Sequence, residues 1–233
     1  MKDKAVDLNT RFKDSKPQEI LEYFLSKYGV KAALSSSFGV EDQVLTHMIL
    51  NIDKNSNIFT LDTARLHPET YSVMDATNLK YGVKVNVFFP KTDEVEELYQ
   101  TQGINGFYES IENRKKCCFV RKIAPLKRAL GELDIWITGL RASQSVTRED
   151  LNVVEYDESN SVIKINPLLN WSEDDVWDFV KENKVPYNKL HDQGFPSIGC
   201  APCTRAVKDG EDVRSGRWWW ENPENKECGL HTK

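Results

Sequence analysis

The chain has 233 residues, a length typical of one domain, and its 39% apolar and 29% charged residues are those of a globular protein that buries a core. Its formal net charge of −5 argues against a general nucleic-acid binder, which needs a basic surface. No apolar run is long enough to cross a membrane, and residues 1–7 are too charged for a secretory signal, so we predict a cytoplasmic protein with reduced thiols.

The hydrophobic pattern predicts one α/β domain in which strands and helices alternate. Amphipathic helices are predicted at 17–28, 44–50, 68–80, 92–100 and 173–183, and at 118–130 with an interruption near Pro125. Core strands are predicted at 30–35, 57–61, 83–88 and 134–138, and an outer strand at 161–166. This order is typical of a doubly wound, mostly parallel sheet. We divide the single domain into an N-terminal helical segment (1–29), a nucleotide-binding core (30–207) and a polar C-terminal tail (208–233) that we expect to be mobile rather than packed.

Small and polar residues follow three of the predicted strands. Because the carboxyl ends of parallel strands share one edge of a sheet, where ligands bind, we predict a composite nucleotide site there. Arg141 and Arg148 flank a serine-containing turn, and a guanidinium at that place is suited to a phosphate group. The other residues that we assign to this site are Ser36, Ser37, Phe38, Gly39, Asp62, Thr63 and Gly139.

The cysteines form two close pairs and a singleton, Cys117 with Cys118, Cys200 with Cys203, and Cys228. In a reducing compartment this pattern predicts a four-ligand metal site and one reactive thiol. Both a [4Fe–4S] cluster and tetrahedral zinc take four thiolates, so the residue types leave the metal open. Buried, inert cysteines are the alternative.

Cationic residues surround both the first cysteine pair and the singleton. Near the pair, we treat Arg114 and Lys116 as solvated surface charges. A thiol at neutral pH needs positive charge nearby to become a nucleophile, and Arg214, Arg217 and His231 are candidates to activate Cys228 or to hold an anionic substrate.

Seven motifs extend over residues 32–231, nearly the whole chain. They are Ser-Ser-Phe-Gly-Val-Glu-Asp (36–42), Leu-Asp-Thr (61–63), Lys-Lys-Cys-Cys (115–118), Gly-Leu-Arg-Ala-Ser-Gln-Ser (139–145), Gly-Cys-Ala-Pro-Cys-Thr (199–204), Gly-Glu-Asp-Val-Arg-Ser-Gly-Arg-Trp (210–218) and Glu-Cys-Gly-Leu-His (227–231). With these motifs, the sequence resembles the iron–sulfur type of assimilatory adenylyl-sulfate (APS) reductases in the phosphoadenylyl-sulfate (PAPS) reductase superfamily.

The resemblance implies a fold like that of the pyrophosphate-loop ATPases (adenine nucleotide alpha hydrolase-like). It also implies a [4Fe–4S] cluster on Cys117, Cys118, Cys200 and Cys203, and contact between Lys122 and the phosphosulfate of the substrate. The implied reaction reduces APS to sulfite and AMP through an S-sulfocysteine on Cys228. Thioredoxin or glutaredoxin is the implied electron donor.

Other functions stay open at this point. A PAPS reductase, or an enzyme that uses both nucleotides, shares the C-terminal motif, although members strict for PAPS generally lack both cysteine pairs. An ATP pyrophosphatase of the same fold typically carries Ser-Gly-Gly-x-Asp-Ser at the first loop, which residues 36–42 do not match. A non-catalytic, zinc-stabilised nucleotide-binding module would not explain a lone cysteine among cations. The sequence leaves a homo-oligomer open.

Overall fold

A computed structural model describes residues 1–144, 151–222 and 229–230 of the chain. Within these residues, six strands form one sheet in the order β3-β2-β1-β4-β6-β5. All neighbouring strands are parallel except β5 and β6, which are antiparallel. The strands are β1 (Ala32–Ser35), β2 (Asn57–Leu61), β3 (Asn86–Phe88), β4 (Ile135–Ile137), β5 (Val154–Asp157) and β6 (Val162–Ile165). The predicted α/β class with a mostly parallel sheet is confirmed.

Helices cover both faces of the sheet. Successive side chains of a strand point to opposite faces, so each face carries apolar side chains that the helices bury. Leu34, Ile137 and Ile163 belong to the larger core, while Ala33 and Trp136 belong to a smaller core on the other face. The helices are α1 (Lys2–Phe12), α2 (Pro17–Tyr28), α3 (Val40–Ile52), α4 (Pro68–Tyr81), α5 (Thr92–Gln102), α6 (Ile111–Cys118), α7 (Ala124–Leu130) and α8 (Glu173–Glu182). Within the described ranges, none of them is long and apolar enough to cross a membrane.

The interruption predicted near Pro125 is a π-helical turn, Phe119–Ile123, between α6 and α7. Proline has no N–H and its ring displaces the preceding turn, so the regular hydrogen-bond ladder cannot continue through it. The π turn begins directly after Cys118, and such turns commonly lie at functional sites.

Two elements at the N-terminal half of the chain and at the sheet edge differ from the sequence predictions. Within the predicted N-terminal helical segment, the separate helix α1 was not predicted, since only Ala5, Leu8 and Phe12 of its residues are buried. The strand predicted as outer is wrong in its placement: β6 lies between β4 and β5, and β5, which was not predicted, forms the edge. The side chain of Asn9 in α1 accepts a hydrogen bond from the backbone N–H of Val154 at 3.1 Å and so ties α1 to that edge.

The expectation of a mobile tail is wrong for its described first part. Trp218 is 1% exposed and Arg217 is 8% exposed, so this segment packs into the domain. Its backbone is bound as well, because the N–H of Trp218 donates to the carbonyl of Cys203 at 3.1 Å and the N–H of Arg205 donates to that of Gly216 at 3.0 Å. Residues 208–222 therefore belong to the same folded unit as the cysteine pairs.

Candidate nucleotide and metal site

A cavity of about 440 Å³ lies at the carboxyl ends of β1, β2 and β4. This volume is in the range of sites that bind small organic ligands. The cavity therefore brings together residues from the three strand ends at which the sequence predicts a composite site. The eight residues of its lining that the sequence analysis assigned to substrate binding are Ser36, Ser37, Thr63, Lys122, Gly139, Arg141, Arg214 and Arg217.

Asp42, at the start of α3, joins the loop after β1 to the end of β4. Its carboxylate accepts hydrogen bonds from the backbone N–H and from the hydroxyl of Ser37, both at 2.6 Å. The backbone N–H of Gly139 donates to it as well. Burial raises the pKa of Asp42 to about 6, although these hydrogen bonds oppose the rise. A Cβ at Gly139 would collide with the carboxylate, so this position requires glycine.

Arg141 lines the same cavity, and its charge is balanced by Glu41. Its Nε donates to Glu41 Oε1 at 3.0 Å, and its Nη1 donates to the Ser143 hydroxyl at 2.8 Å. The side-chain amide of Gln144 also donates to Glu41 Oε1, at 2.7 Å. The Arg141 and Glu41 side chains are only 8% and 15% exposed, so the guanidinium is held in one place by a nearly buried ion pair.

Three predicted ligands lie outside the residues that line the cavity. Phe38 is 1% exposed and packs in the larger core, and Gly39 follows it at the start of α3. The Asp62 carboxylate accepts from the backbone N–H of Ala64 at 2.7 Å and from the Tyr71 hydroxyl at 3.0 Å. These residues therefore shape the loops of the site, and the sequence could not distinguish such a role from contact with a ligand.

The four paired cysteines line a second, smaller cavity beside the first. Cys117 and Cys118 end α6, and a single helical turn, Ala201–Cys203, begins after Cys200 and ends at Cys203. This turn is attached to the loop after β2 by a hydrogen bond from the N–H of Ala201 to the carbonyl of Arg65, at 2.8 Å. The structure thus places both cysteine pairs at one cavity, and a metal site formed by them stays a prediction.

The four cysteines of this cavity are suited to an inorganic group with positively charged metal ions, held by their thiolates. Burial raises the pKa of Cys117 and, together with the Cys200 sulfur, raises that of Cys203 to about 12. Four thiolates in so small a space therefore need bound positive charge, which iron or zinc would supply.

Buried hydrogen-bond donors around the cysteines also fit such a group. Arg121 is 2% exposed, and it donates to the Thr63 carbonyl at 2.6 Å and to the Tyr99 hydroxyl at 2.8 Å. Its buried Nε and the buried Nε1 of Trp218 have no acceptor among the residues that the structure describes. The Thr63 hydroxyl lies 3.2 Å from Cys200 Sγ. Sulfur atoms of a bound cluster would be acceptors for such donors.

A wall of three residues separates the two cavities, because Lys122, Arg217 and Trp218 line both. The centre of the Trp218 ring lies 5.0 Å from the Arg114 guanidinium and 4.6 Å from that of Arg217. Arg217 also donates to the Ser197 hydroxyl at 3.3 Å. The wall thus places positive charge between the cysteines and the edge of the sheet.

Sequence reasoning missed Arg114, and its treatment as a solvated charge is wrong. It is fully buried and forms a bidentate pair with Glu221, in which Nε and Nη2 lie 2.9 Å and 2.7 Å from the carboxylate oxygens. No local signal could reveal this, because Arg114 stands in a basic run and its partner is 107 residues away. Lys116, in contrast, is exposed as expected. The calls on Cys228, Arg148 and His231 lie outside the described residues.

The fold and this pair of cavities define an α/β protein of the doubly wound class, with a nucleotide-sized cavity at its ligand edge beside a cavity lined by four cysteines. The chain matches the phosphoadenosine phosphosulfate reductase domain over residues 31–206, and it belongs to that family. The adenosine 5'-phosphosulfate reductase of Allochromatium vinosum is 52% identical over 199 residues, which cover 85% of this chain and 78% of that protein. The protein of the same name from Burkholderia cepacia is 48% identical over 216 residues, 91% of this chain and 86% of that protein.

Solved structures extend the comparison. The phosphoadenylyl-sulfate (PAPS) reductase from Candida auris, in a phosphate complex, is 30% identical with a TM-score of 0.75, and the match covers 89% of this chain and 98% of that chain. Candida glabrata FMN adenylyltransferase has a TM-score of 0.56 at 15% identity, over 96% of this chain and 76% of that chain. That likeness concerns the fold alone, and it agrees with the predicted nucleotide-binding architecture.

Proposed function

We propose that this protein reduces APS to sulfite and AMP, as an enzyme of assimilatory sulfate reduction in the cytoplasm. The observation that carries the proposal is the wall formed by Lys122, Arg217 and Trp218 between the nucleotide-sized cavity and the cysteine cavity. A nucleotide seated at the sheet edge would direct its anionic end toward this wall. The names of the relatives from Allochromatium vinosum and Burkholderia cepacia support the same substrate.

In the first step of the proposed reaction, the Cys228 thiolate attacks the sulfur of the bound phosphosulfate. An S–S bond forms and the bond from sulfur to the phosphate oxygen breaks, so AMP leaves with the electron pair. Lys122, Arg214 and Arg217 line the cavity where negative charge grows on the leaving phosphate, and fixed cations at such a place lower the barrier. His231 completes the proposed set of groups that bind the phosphosulfate.

In the second step, a thiolate of thioredoxin or glutaredoxin attacks Cys228 Sγ and displaces sulfite. The mixed disulfide that remains is resolved by the second thiol of the carrier, which leaves as a disulfide and returns the Cys228 thiolate. The two electrons that reduce the sulfur come from the carrier, so a dithiol protein is required as a partner. The cytoplasm keeps such carriers reduced.

We further propose that Cys117, Cys118, Cys200 and Cys203 hold a [4Fe–4S] cluster, one cysteine to each iron. When bound, the cluster would supply a fixed inorganic charge beside the phosphosulfate and would cross-link the end of α6 to the turn at 200–203. The buried donors of Arg121 and Trp218 support this assignment, since they would stabilise its sulfur atoms.

Anaerobically purified protein tests the reaction and the metal separately. Labelled APS without reductant should leave sulfite on the C-terminal peptide, as detected by mass spectrometry, and Cys228→Ser should abolish the adduct. Treatment with AMP in place of APS is the control. An adduct that persists in Cys228→Ser would exclude this nucleophile. A colourless protein that contains zinc and no iron would exclude the cluster, whatever the outcome of the trapping experiment.

A further inference from the structure

A buried ion pair that the proposed reaction does not use lies in the sheet, behind the nucleotide cavity. Lys164 in β6 and Glu155 in β5 are direct cross-strand neighbours, and Lys164 Nζ lies 3.0 Å from Glu155 Oε1. Their side chains are only 5% and 13% exposed. The cost of removing two charges from water commonly equals or exceeds the attraction between them. The stability of the fold therefore gives little reason for a pair at this place.

The Lys164 ammonium lies over an aromatic ring that reaches the cavity. Trp136 in β4 is the neighbour of Lys164 on the other side of β6, and Lys164 Nζ lies 5.5 Å from the centre of the Trp136 ring. A cation at this distance is attracted to the face of the ring, and the attraction is larger where both groups are shielded from water. Trp136 also lines the nucleotide cavity. The ion pair therefore holds part of the cavity wall from behind.

Trp136 transmits this constraint to a hydroxyl at the cavity. Its indole N–H donates to Ser35 Oγ at 2.7 Å, and Ser35, the last residue of β1, lines the cavity as well. An indole N–H can only donate, so Ser35 Oγ is the acceptor and its hydroxyl proton is left for a different acceptor. A cation over the ring polarises the indole N–H and strengthens its hydrogen bond. Ser35 is thus oriented as a donor toward the cavity.

A second series of hydrogen bonds connects the carboxylate of the pair to the same cavity. The Thr138 hydroxyl donates to Asn166 Oδ1 at 2.5 Å, and the Asn166 amide donates to Glu155 Oε1 at 3.4 Å. Asn166 is fully buried, and Thr138 lines the cavity beyond the end of β4. Each charge of the pair is therefore linked to one hydroxyl in the cavity wall.

We propose that Lys164, paired with Glu155, is a positioning residue that acts through Trp136 to aim the Ser35 hydroxyl at the nucleoside half of the substrate. The proposal rests on the proposed function in one respect, that a nucleotide occupies the cavity. The apolar residues around Trp136 support the choice of the nucleoside half. Leu61 and Leu126 belong to the same smaller core and also line the cavity, which suits an uncharged ring rather than the phosphosulfate.

Three variants interrupt the network at successive points. Ser35→Ala removes the hydroxyl, and Trp136→Phe keeps a ring under the ammonium but removes the indole N–H. Glu155→Gln/Lys164→Met removes both charges with little change of shape, so neither charge is left buried without the other. If that variant does not fold, Glu155→Gln/Lys164→Gln takes its place.

The matched control is another ion pair of the same sheet. Lys31 and Asp134 precede β1 and β4, and their charges lie 3.8 Å apart at the amino ends of these strands, opposite to the cavity. Lys31→Met/Asp134→Asn should leave ligand binding unchanged. The probes are AMP and adenosine, whose binding to the anaerobically purified protein is measured by calorimetry. The melting temperature of each variant is measured on the same sample.

We expect Ser35→Ala and Trp136→Phe to weaken AMP and adenosine by the same factor, about three- to tenfold, as for the loss of one hydrogen bond. Glu155→Gln/Lys164→Met should weaken both about threefold or more. In the Ser35→Ala background the charge substitutions should have no further effect on binding, because their effect passes through that hydroxyl. A merely structural role would instead lower the affinity by the same factor in both backgrounds.

Other outcomes overturn the inference. They are an unchanged affinity in Ser35→Ala, a loss confined to AMP, a full additional loss when the charge and Ser35 substitutions are combined, or an equal loss in the Lys31→Met/Asp134→Asn control. The proposed function is tested apart from these. If the wild type binds AMP but forms no sulfite from APS, the proposed function is wrong, and the binding data still decide the role of Lys164. If the wild type forms sulfite but binds neither probe, only the inference fails.

Discussion

Replacement of Glu221 by glutamine should detach the C-terminal segment from the cysteine site. The Glu221 and Arg114 side chains are 3% and 1% exposed, and they are joined by hydrogen bonds of 2.9 Å and 2.7 Å. The substitution keeps the shape of the side chain but removes the negative charge that Glu221 places against the buried Arg114 guanidinium. Arg114 also stacks on Trp218 at 5.0 Å, so the segment that carries Arg217 depends on the same contact.

The magnitude follows from the burial of the pair. Removing one partner of a buried ion pair typically costs about 3–5 kcal/mol, because the remaining charge stays out of water. In a chain of this size, each kcal/mol lowers the melting temperature by about 2–4 °C, so the expected decrease is on the order of 10 °C. Part of the loss can be relieved if residues 217–222 open locally, and proteolysis at this segment should then be faster than in the wild type.

Thermal melting of the anaerobic protein, with iron measured on the same sample, is the assay. Asp178→Asn is the control, since Asp178 forms an exposed pair with Lys181 at 3.6 Å and such pairs contribute little. The double variant Arg114→Met/Glu221→Gln should recover part of the stability, because it removes both charges of the pair. A Glu221→Gln protein that melts like the wild type, or a double variant whose loss equals the sum of the two single losses, would refute the reasoning.

Two further predictions concern the nucleotide cavity. In Gly199→Ala the added Cβ would lie 2.6 Å from the Arg217 guanidinium carbon, so we expect Arg217 to be displaced and the KM for APS to rise about tenfold or more. Gly131→Ala is the control, since its added Cβ has no atom nearer than 3.5 Å and should leave the KM unchanged. Equal KM values in the two variants would contradict this prediction. The pKa of Asp42 is raised to about 6 from 3.8 in the folded protein, so its contribution to stability is fully present below pH about 4 and declines as the pH rises to about 6, by about 3 kcal/mol in total. The difference in unfolding free energy between wild type and Asp42→Asn should therefore vary across that pH range and be constant above it, and a difference independent of pH would exclude the buried carboxylate as its source.

Local patterns in the sequence were sufficient for the elements whose hydrophobic period is strong. Helix α2 and strand β2 have the bounds that were predicted, and Ser172 caps α8 with a reciprocal hydrogen bond to Asp175, a short-range signal. These features depend on residues close together in the chain, where propensity and periodicity act directly.

Tertiary structure alone decided which charges are buried and which donors are free to meet a ligand. The burial of Arg114 depends on a glutamate 107 residues away, and that of Asp42 depends on the approach of Gly139 from another strand. The place of β6 inside the sheet depends on its pairing with β5. The physical reason is the same in each case: the cost of burying a charge or a strand edge is set by the partner that compensates it, and no local pattern specifies that partner.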